Sequence, residues 1–120
     1  MTGNKTRFIV AALLSVTLLL TSAGFAQASV VIKATSTRRW NPATTSVAHG
    51  TKVVWKNPTT SPHTVTAWGG GWSKNTTIAA GGGHTAFTFQ ARGTYKFRCT
   101  FHSTVVSGVC SGMCGVVKVT

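Results

Sequence analysis

Three side chains near the end of the chain have the chemistry to bind a soft metal ion. Cys99 supplies a thiol, His102 supplies an imidazole three positions later, and Met113 supplies a thioether after the intervening residues 103–112. One thiolate, two imidazoles and a weak axial thioether form the ligand set of blue-copper electron-transfer sites. The segment offers three of these four ligands and is predicted to form one metal-binding loop.

The strand that leads to Cys99 determines where its thiol points. In residues 94–99, Tyr95 and Phe97 share a face with Cys99, and polar residues occupy the other face. Because side chains alternate across a strand, the thiol is predicted to face the core together with the aromatic rings.

The fourth ligand is expected on another strand that faces the same core. Residues 63–68 also alternate, with His63, Val65 and Ala67 on one face. His63 is therefore the candidate for the second imidazole.

These motifs together resemble those of the cupredoxin family, the plastocyanin-like small blue copper proteins. The resemblance extends from Val30 to Val119. It is carried by Trp40-Asn-Pro42, Gly50-Thr-Lys-Val-Val-Trp55-Lys-Asn57, Pro62-His63-Thr-Val, Gly93-Thr-Tyr-Lys-Phe-Arg-Cys99-Thr-Phe-His102 and Gly112-Met113-Cys-Gly115.

The resemblance implies an all-β fold, a Greek-key antiparallel β-sandwich of about seven or eight strands. It also implies one type 1 copper ion bound by His63, Cys99 and His102, with Met113 in the axial position. Such a protein moves one electron between Cu(I) and Cu(II) and is not an enzyme. By the same resemblance, His102 is expected to reach the surface through an apolar patch where redox partners dock.

Three further residues are expected to surround the metal. Trp40 stands where the family has an aromatic residue before Pro, and Phe101 precedes the ligand His102. Both are expected to help form an apolar shell that excludes water. Thr64 stands where the family often has Asn after the first His ligand.

The cysteine count is odd, which in an exported chain indicates a thiol with a separate task. Cys110 and Cys114 can approach to disulfide distance in a turn, and the bridge would hold Met113 between its ends. Cys99 would then remain as the metal-binding thiolate.

Other readings of the same residues stay open. Cys99, His102, Cys110 and Cys114 form a Cys₃His set that suits a structural zinc ion, although an exported site would need three reduced thiols. The Cys-Ser-Gly-Met-Cys-Gly run is similar to the motif of binuclear copper domains, but no His or Met follows it. A carrier of the copper ion itself would need an open site rich in thioethers.

The N-terminal residues 1–28 have the pattern of a secretory signal peptide. Lys5 and Arg7 precede an apolar run, and Ala26-Gln27-Ala28 fits the cleavage pattern. The mature chain would be residues 29–120, one plastocyanin-like domain. An uncleaved membrane anchor is the alternative, although the run is short for a span. A periplasmic or extracellular location is expected.

The charge of the chain is one-sided. It has 12 Lys and Arg residues and no Asp or Glu, which excludes carboxylate acid–base catalysis and oxygen-rich Ca²⁺ or Mg²⁺ sites. The expected partners are proteins with acidic docking surfaces, and association with an anionic membrane surface is a second expectation. Export argues against nucleic acid. A monomer is expected.

Short alternating runs separated by Gly, Pro and Asn predict the strands. Residues 103–112 are predicted to be a long irregular loop, and His49 and His84 are predicted to lie on the surface. The predicted strands are Val30–Ala34, Thr44–Ala48, Lys52–Lys56, His63–Trp68, Thr76–Ala80, His84–Gln90, Thr94–Cys99 and Val116–Val119.

Overall fold

The computed structural model describes residues 28–120, together with residues 3, 12 and 15–17. The predicted signal peptide, residues 1–28, lies outside the described residues apart from these isolated positions and residue 28. The described part of the chain contains no helix. Accordingly, no helix within it meets the length and hydropathy needed to cross a membrane.

Two sheets face each other and form the predicted sandwich. The first has the strand order β2-β1-β4-β7 and the second has the order β3-β9-β8-β5-β6. The nine strands are β1 Ser29–Ala34, β2 Trp40–Asn41, β3 Thr44–Val47, β4 Thr51–Asn57, β5 His63–Trp68, β6 Asn75–Ile78, β7 Gly83–Phe89, β8 Gly93–Val106 and β9 Val109–Val119.

The prediction of a sandwich is confirmed, but the prediction of wholly antiparallel sheets is wrong. Strand β1 pairs in parallel with β4, and β3 pairs in parallel with β9. The remaining pairs are antiparallel. Alternating polarity shows which face of a strand is buried and does not show the direction of its neighbour, so the sequence pattern could not distinguish the two cases.

The alternation correctly predicts the faces that form the core. On β4, Val53 and Trp55 are fully buried, whereas Lys52 and Lys56 are exposed. The Trp55 ring packs edge-on against Phe97 from the opposite sheet, with ring centroids 5.3 Å apart. Aromatic side chains bury large areas, so this contact is a principal link between the two sheets.

The predicted loop 103–112 is wrong, because these residues form a β-hairpin that extends β8 and β9. We call this hairpin the arm. Its turn is Ser107-Gly108, and both residues have positive φ values, 50° and 74°. Two positive φ values are what a two-residue hairpin turn of type I′ requires, and Val106 pairs with Val109 across it. Ser-Gly flanked by valines is the sequence signal for this turn.

The pairing register of β8 and β9 shifts where the arm meets the sheet. Arg98 pairs with Cys114 and Ser103 pairs with Gly112, so four residues of β8 lie opposite the single residue Met113 of β9. Strand β9 bends at the same point, since the Cα atoms of residues 110 and 114 are 6.2 Å apart. A straight strand would span about 13 Å over four residues. The β8 bulge therefore places residues 99–102 opposite Met113.

Candidate metal centre

Three of the sequence-predicted ligands converge on one point. The Sγ atom of Cys99 lies 3.7 Å from Nδ1 of His63 and 3.6 Å from Nδ1 of His102. The two Nδ1 atoms are 3.2 Å apart. Strand β5 supplies His63 at its first residue, and the β8 bulge supplies the other two.

This spacing fits a single metal ion. Metal–nitrogen and metal–sulfur bonds of about 2.0–2.3 Å leave ligand atoms separated by the distances seen here. His63 and Cys99 are buried and His102 is partly exposed. The three donors are soft or borderline ligands without any oxygen, which is a set suited to copper or zinc and unsuited to Ca²⁺ or Mg²⁺.

Met113 lies on β9 directly opposite the bulge that carries Cys99 and His102. Its side chain is fully buried and belongs to the same core cluster as Cys99. The preceding residue, Gly112, has φ +99°, and a Cβ atom there would collide with the backbone oxygen of His102. Only glycine lets β9 approach the bulge this closely. The close approach places Met113 opposite the bulge residues Cys99 and His102.

The Cys99 sulfur accepts a hydrogen bond from the strand that carries His63. The backbone N–H of Thr64 donates to Sγ over 3.3 Å. The Thr64 hydroxyl lies 3.0 Å from the Thr100 hydroxyl and accepts a hydrogen bond from the Thr100 N–H over 2.8 Å. A hydrogen bond to sulfur favours the thiolate. Thr64 thus links the two strands next to the sulfur, although its side chain is shorter than that of the Asn that the family often has there.

A second set of hydrogen bonds fixes the orientation of His63. The Thr59 hydroxyl lies 3.0 Å from Nε2 of His63 and 2.6 Å from Oδ1 of Asn57. An amide oxygen only accepts, so the hydroxyl proton goes to Asn57 and the hydroxyl accepts from Nε2–H. The His63 proton therefore sits on Nε2, and the Nδ1 lone pair faces Cys99 and His102. This tautomer is the one that binds a metal through Nδ1.

Asn57 is itself held rigidly. Its side chain is fully buried, and its Nδ2 atom donates towards the backbone oxygens of Ser61, Ile78 and Ala79. With its nitrogen fixed, its Oδ1 can only face Thr59. The chain of hydrogen bonds from Asn57 through Thr59 to His63, which we call the relay, thus starts at a side chain whose position is fixed by its own hydrogen bonds.

Burial and nearby positive charge also favour the neutral form of His63. Burial lowers the pKa of the His63 imidazole below its ordinary value, and the nearby His102 and Arg38 lower it further. Since a metal binds the neutral imidazole, a lowered pKa extends the range of pH over which His63 can act as a ligand.

Replacing Thr59 by valine removes the acceptor for the Nε2–H of His63. Losing a partner of this kind typically lowers metal affinity, and we expect copper to bind about 10–100-fold more weakly in Thr59→Val. The matched control is Thr60→Val, because the neighbouring Thr60 hydroxyl is exposed and makes no hydrogen bond to the described residues. Competition with a Cu(II) chelator measures the copper affinity of both variants. Equal affinity in Thr59→Val and Thr60→Val would contradict the role of the Thr59 hydroxyl.

The two aromatic residues expected in an apolar shell differ in position. Trp40 is buried and packs edge-on against the ring of His63, with centroids 6.3 Å apart. Phe101 is 57% exposed, so the expectation that it closes the shell is wrong. The bulge breaks the alternation after Cys99, which leaves Phe101 at the surface beside the ring of His102, with centroids 6.4 Å apart.

The remaining cysteines are bonded to each other. Cys110 and Cys114 form a disulfide, and Cys99 is a free buried thiol. The metal-binding group found among the described residues contains His63, Cys99 and His102 and neither of the other cysteines. The disulfide leaves the Cys₃His zinc alternative and the binuclear copper alternative without their thiolates. Both alternatives are therefore wrong for this structure.

Two residues of the site, Asn57 and Thr59, were missed by the sequence analysis. A signal for the first was present, because Asn57 ends a strand on the face occupied by Val53 and Trp55. An amide at a core position must find hydrogen-bond partners. No comparable signal marks Thr59. His49 and His84 are exposed, as predicted.

Comparison with known proteins shows the family to which this chain belongs. A structure of a reduced-state amicyanin variant is 25% identical, has a TM-score of 0.64 and covers 82% of this chain and 88% of its own. A purple cupredoxin from Nitrosopumilus maritimus is 22% identical with a TM-score of 0.59, covering 78% of this chain and all of its own.

A copper-containing nitrite reductase from Thermus scotoductus is 18% identical with a TM-score of 0.63, and the match covers 77% of this chain but 22% of that larger one. The likeness to the purple cupredoxin and the reductase concerns the fold alone. A comparison with curated proteins finds no match. The model of the cupredoxin-like domain matches residues 9–110. Since that match covers most of the sequence, the chain belongs to the family of cupredoxin-like domains.

Proposed function

We propose that this protein is an exported electron carrier that binds one type 1 copper ion through His63, Cys99 and His102, with Met113 as the weak axial ligand. The observation that carries the proposal is the convergence of one sulfur and two Nδ1 atoms within 3.2–3.7 Å of one another. The cupredoxin-like fold and this donor set are consistent with one type 1 copper.

The residues around the ligands support electron transfer in preference to catalysis. Bound copper would supply the one-electron exchange. The chain fixes the donors through Thr64, Thr59 and Asn57, so the ligands need little movement when the charge of the site changes. Burial of His63 and Cys99 excludes water, and the chain has no carboxylate for acid–base chemistry. No enzymatic activity is proposed.

The route for the electron is proposed to pass through His102, the one partly exposed donor. Phe101, beside His102, is exposed. The arm, which begins at Ser103, carries Val106 and Val109, whose side chains are 69% and 63% exposed. An apolar surface of this kind suits transient contact with a redox protein.

The charge of the chain indicates the kind of partner. Since it lacks any acidic residue, redox proteins with acidic docking surfaces are the proposed partners, and an anionic membrane surface is a second. Nucleic acid is not proposed as a partner. We propose a monomer located in the periplasm or outside the cell. Association rates should fall steeply with added salt, because exposed charges are screened.

Titration of the metal-free protein with Cu(II) tests the proposed function. We expect an intense visible absorption that saturates at one copper per chain. Copper bound without colour, or zinc retained in preference to copper, would contradict the proposal. A chelator assay on the reduced form separates electron transfer from ion transport, since slow release of Cu(I) fits an electron carrier and rapid release fits a copper-ion carrier.

A further inference from the structure

A polar cleft lies beside His63 on the side away from Cys99. It has a volume of about 320 Å³ and lies between the turn 35–38, which joins β1 to β2, and the loop 58–61, which joins β4 to β5. Hydroxyl groups from both segments line it, and Arg38 is its one charged residue. The metal-site proposal does not use this cleft.

Arg38 has no partner for its charge among the residues that the structure describes. The chain contains no Asp or Glu, and the Arg38 guanidinium makes no hydrogen bond to any described residue. The residue also has φ 58°, which is uncommon for a side chain other than glycine. The turn holds this conformation through the hydrogen bond from the Arg38 N–H to the Thr35 oxygen and that from the Thr35 N–H to the Arg39 oxygen. Non-glycine residues held in this backbone conformation are more frequent at functional sites.

The other groups in the cleft are of the kind that bind the same ligand. The hydroxyls of Ser36, Thr60 and Ser61 line it and make no hydrogen bond to the described residues. A guanidinium offers a planar fork of N–H donors that matches the oxygens of a phosphate or carboxylate, and hydroxyls add further donors. The cleft contains no carboxylate that would repel an anion.

We propose that this cleft binds an oxyanion between Arg38 and the loop 58–61. The oxyanion is either a small free ion such as phosphate or the carboxylate of an acidic side chain from a partner protein. The net charge of +12 for the chain attracts both.

The cleft connects directly to the metal site. Its lining includes His63 and Thr59, whose hydroxyl accepts the hydrogen bond from Nε2 of His63. A negative charge here stabilises the more positive state of a bound metal ion. The oxyanion should therefore bind more tightly to the oxidised protein and lower its reduction potential, as linkage requires. This coupling rests on the proposed function, whereas the binding does not.

The binding is tested on the metal-free protein by titration with inorganic phosphate at constant ionic strength, followed through backbone amide NMR shifts. We expect saturating shifts in residues 35–38 and 59–61. Arg38→Gln should weaken binding by about tenfold or more, since a charge-assisted hydrogen bond is lost. Arg92→Gln removes the same charge from an exposed turn outside the cleft and should leave binding unchanged. Shifts that do not saturate, or that weaken equally in both variants, would overturn the site.

The source of the oxyanion is settled by a parallel titration with a tetrapeptide of glutamates. Saturation by phosphate at lower concentration indicates a free ion, and saturation by the peptide at lower concentration indicates an acidic partner. If neither saturates, the proposal fails. The coupling is tested with the copper-loaded protein, where phosphate should lower the reduction potential in the wild type and not in Arg38→Gln. An unchanged wild-type potential would overturn the coupling.

Discussion

Replacing Cys99 by serine should abolish the intense visible absorption of the copper-loaded protein. The band depends on charge transfer from a thiolate sulfur to Cu(II), and a serine hydroxyl does not ionise at neutral pH. The variant also replaces the sulfur that accepts the Thr64 N–H bond, a bond that favours the anionic form of Cys99. We expect the colour to disappear completely and copper affinity to fall by orders of magnitude, as measured by absorption and by competition with a chelator.

The control for this variant removes the other two sulfurs. In Cys110→Ser combined with Cys114→Ser, the free thiol of Cys99 remains, so the absorption should persist. Loss of the short disulfide loop should lower the free energy of unfolding by about 2 kcal/mol in the chain-entropy model. If colour survives in Cys99→Ser, or vanishes in the double variant while the fold is intact, the assignment of the thiolate is wrong.

Replacing Gly112 by alanine should disrupt both the fold and the metal site. Its φ of +99° is unfavourable for any L side chain, and the added Cβ would collide with the His102 backbone oxygen. The loss in free energy of unfolding should exceed the cost of about 1–2 kcal/mol for a left-handed residue alone. Because His102 and Met113 flank this contact, the visible spectrum of any bound copper should also change. Denaturant unfolding and absorption measure the two effects.

Gly108 provides the matched comparison. It also has a positive φ, +74°, but a Cβ atom there would meet nothing within 4 Å. Gly108→Ala should therefore show only the backbone cost and leave the copper spectrum unchanged. Equal destabilisation of the two variants, with both spectra intact, would show that the close approach of Gly112 to His102 has no role in the site.

Much of the site could be predicted because it depends on local alternation. A side chain on the apolar face of a strand must point into the core, so Cys99 and His63 could be placed there from their own neighbours. The odd cysteine count separated Cys99 from the pair that forms the disulfide. These inferences need only residue types and spacing.

The remaining features depend on how strands meet, which spacing does not encode. The bulge opposite Met113 moves Phe101 to the surface and turns His102 inward, the reverse of what continued alternation predicts. The composition of residues 103–112 predicts a loop because Ser, Thr and Gly are common in loops, and the hairpin signal Ser107-Gly108 within it is short. The parallel pairings of β1 with β4 and of β3 with β9 arise from tertiary packing. The alternation of polarity along a strand does not predict them.

The unequal exposure of the three donors has a consequence for how the ion is exchanged. Cys99 and His63 are buried, at 0% and 1% exposure, and His102 is the partly exposed donor, so we expect an ion that enters the folded protein to pass the His102 ring. Movement of that ring would then act as the gate for loading and unloading copper. The affinity for the ion is expected to depend on the residues that orient His63 and Cys99, namely Asn57, Thr59 and Thr64. Mutations beside His102 should alter how fast copper is exchanged. Mutations of Asn57, Thr59 or Thr64 should alter how strongly copper is retained.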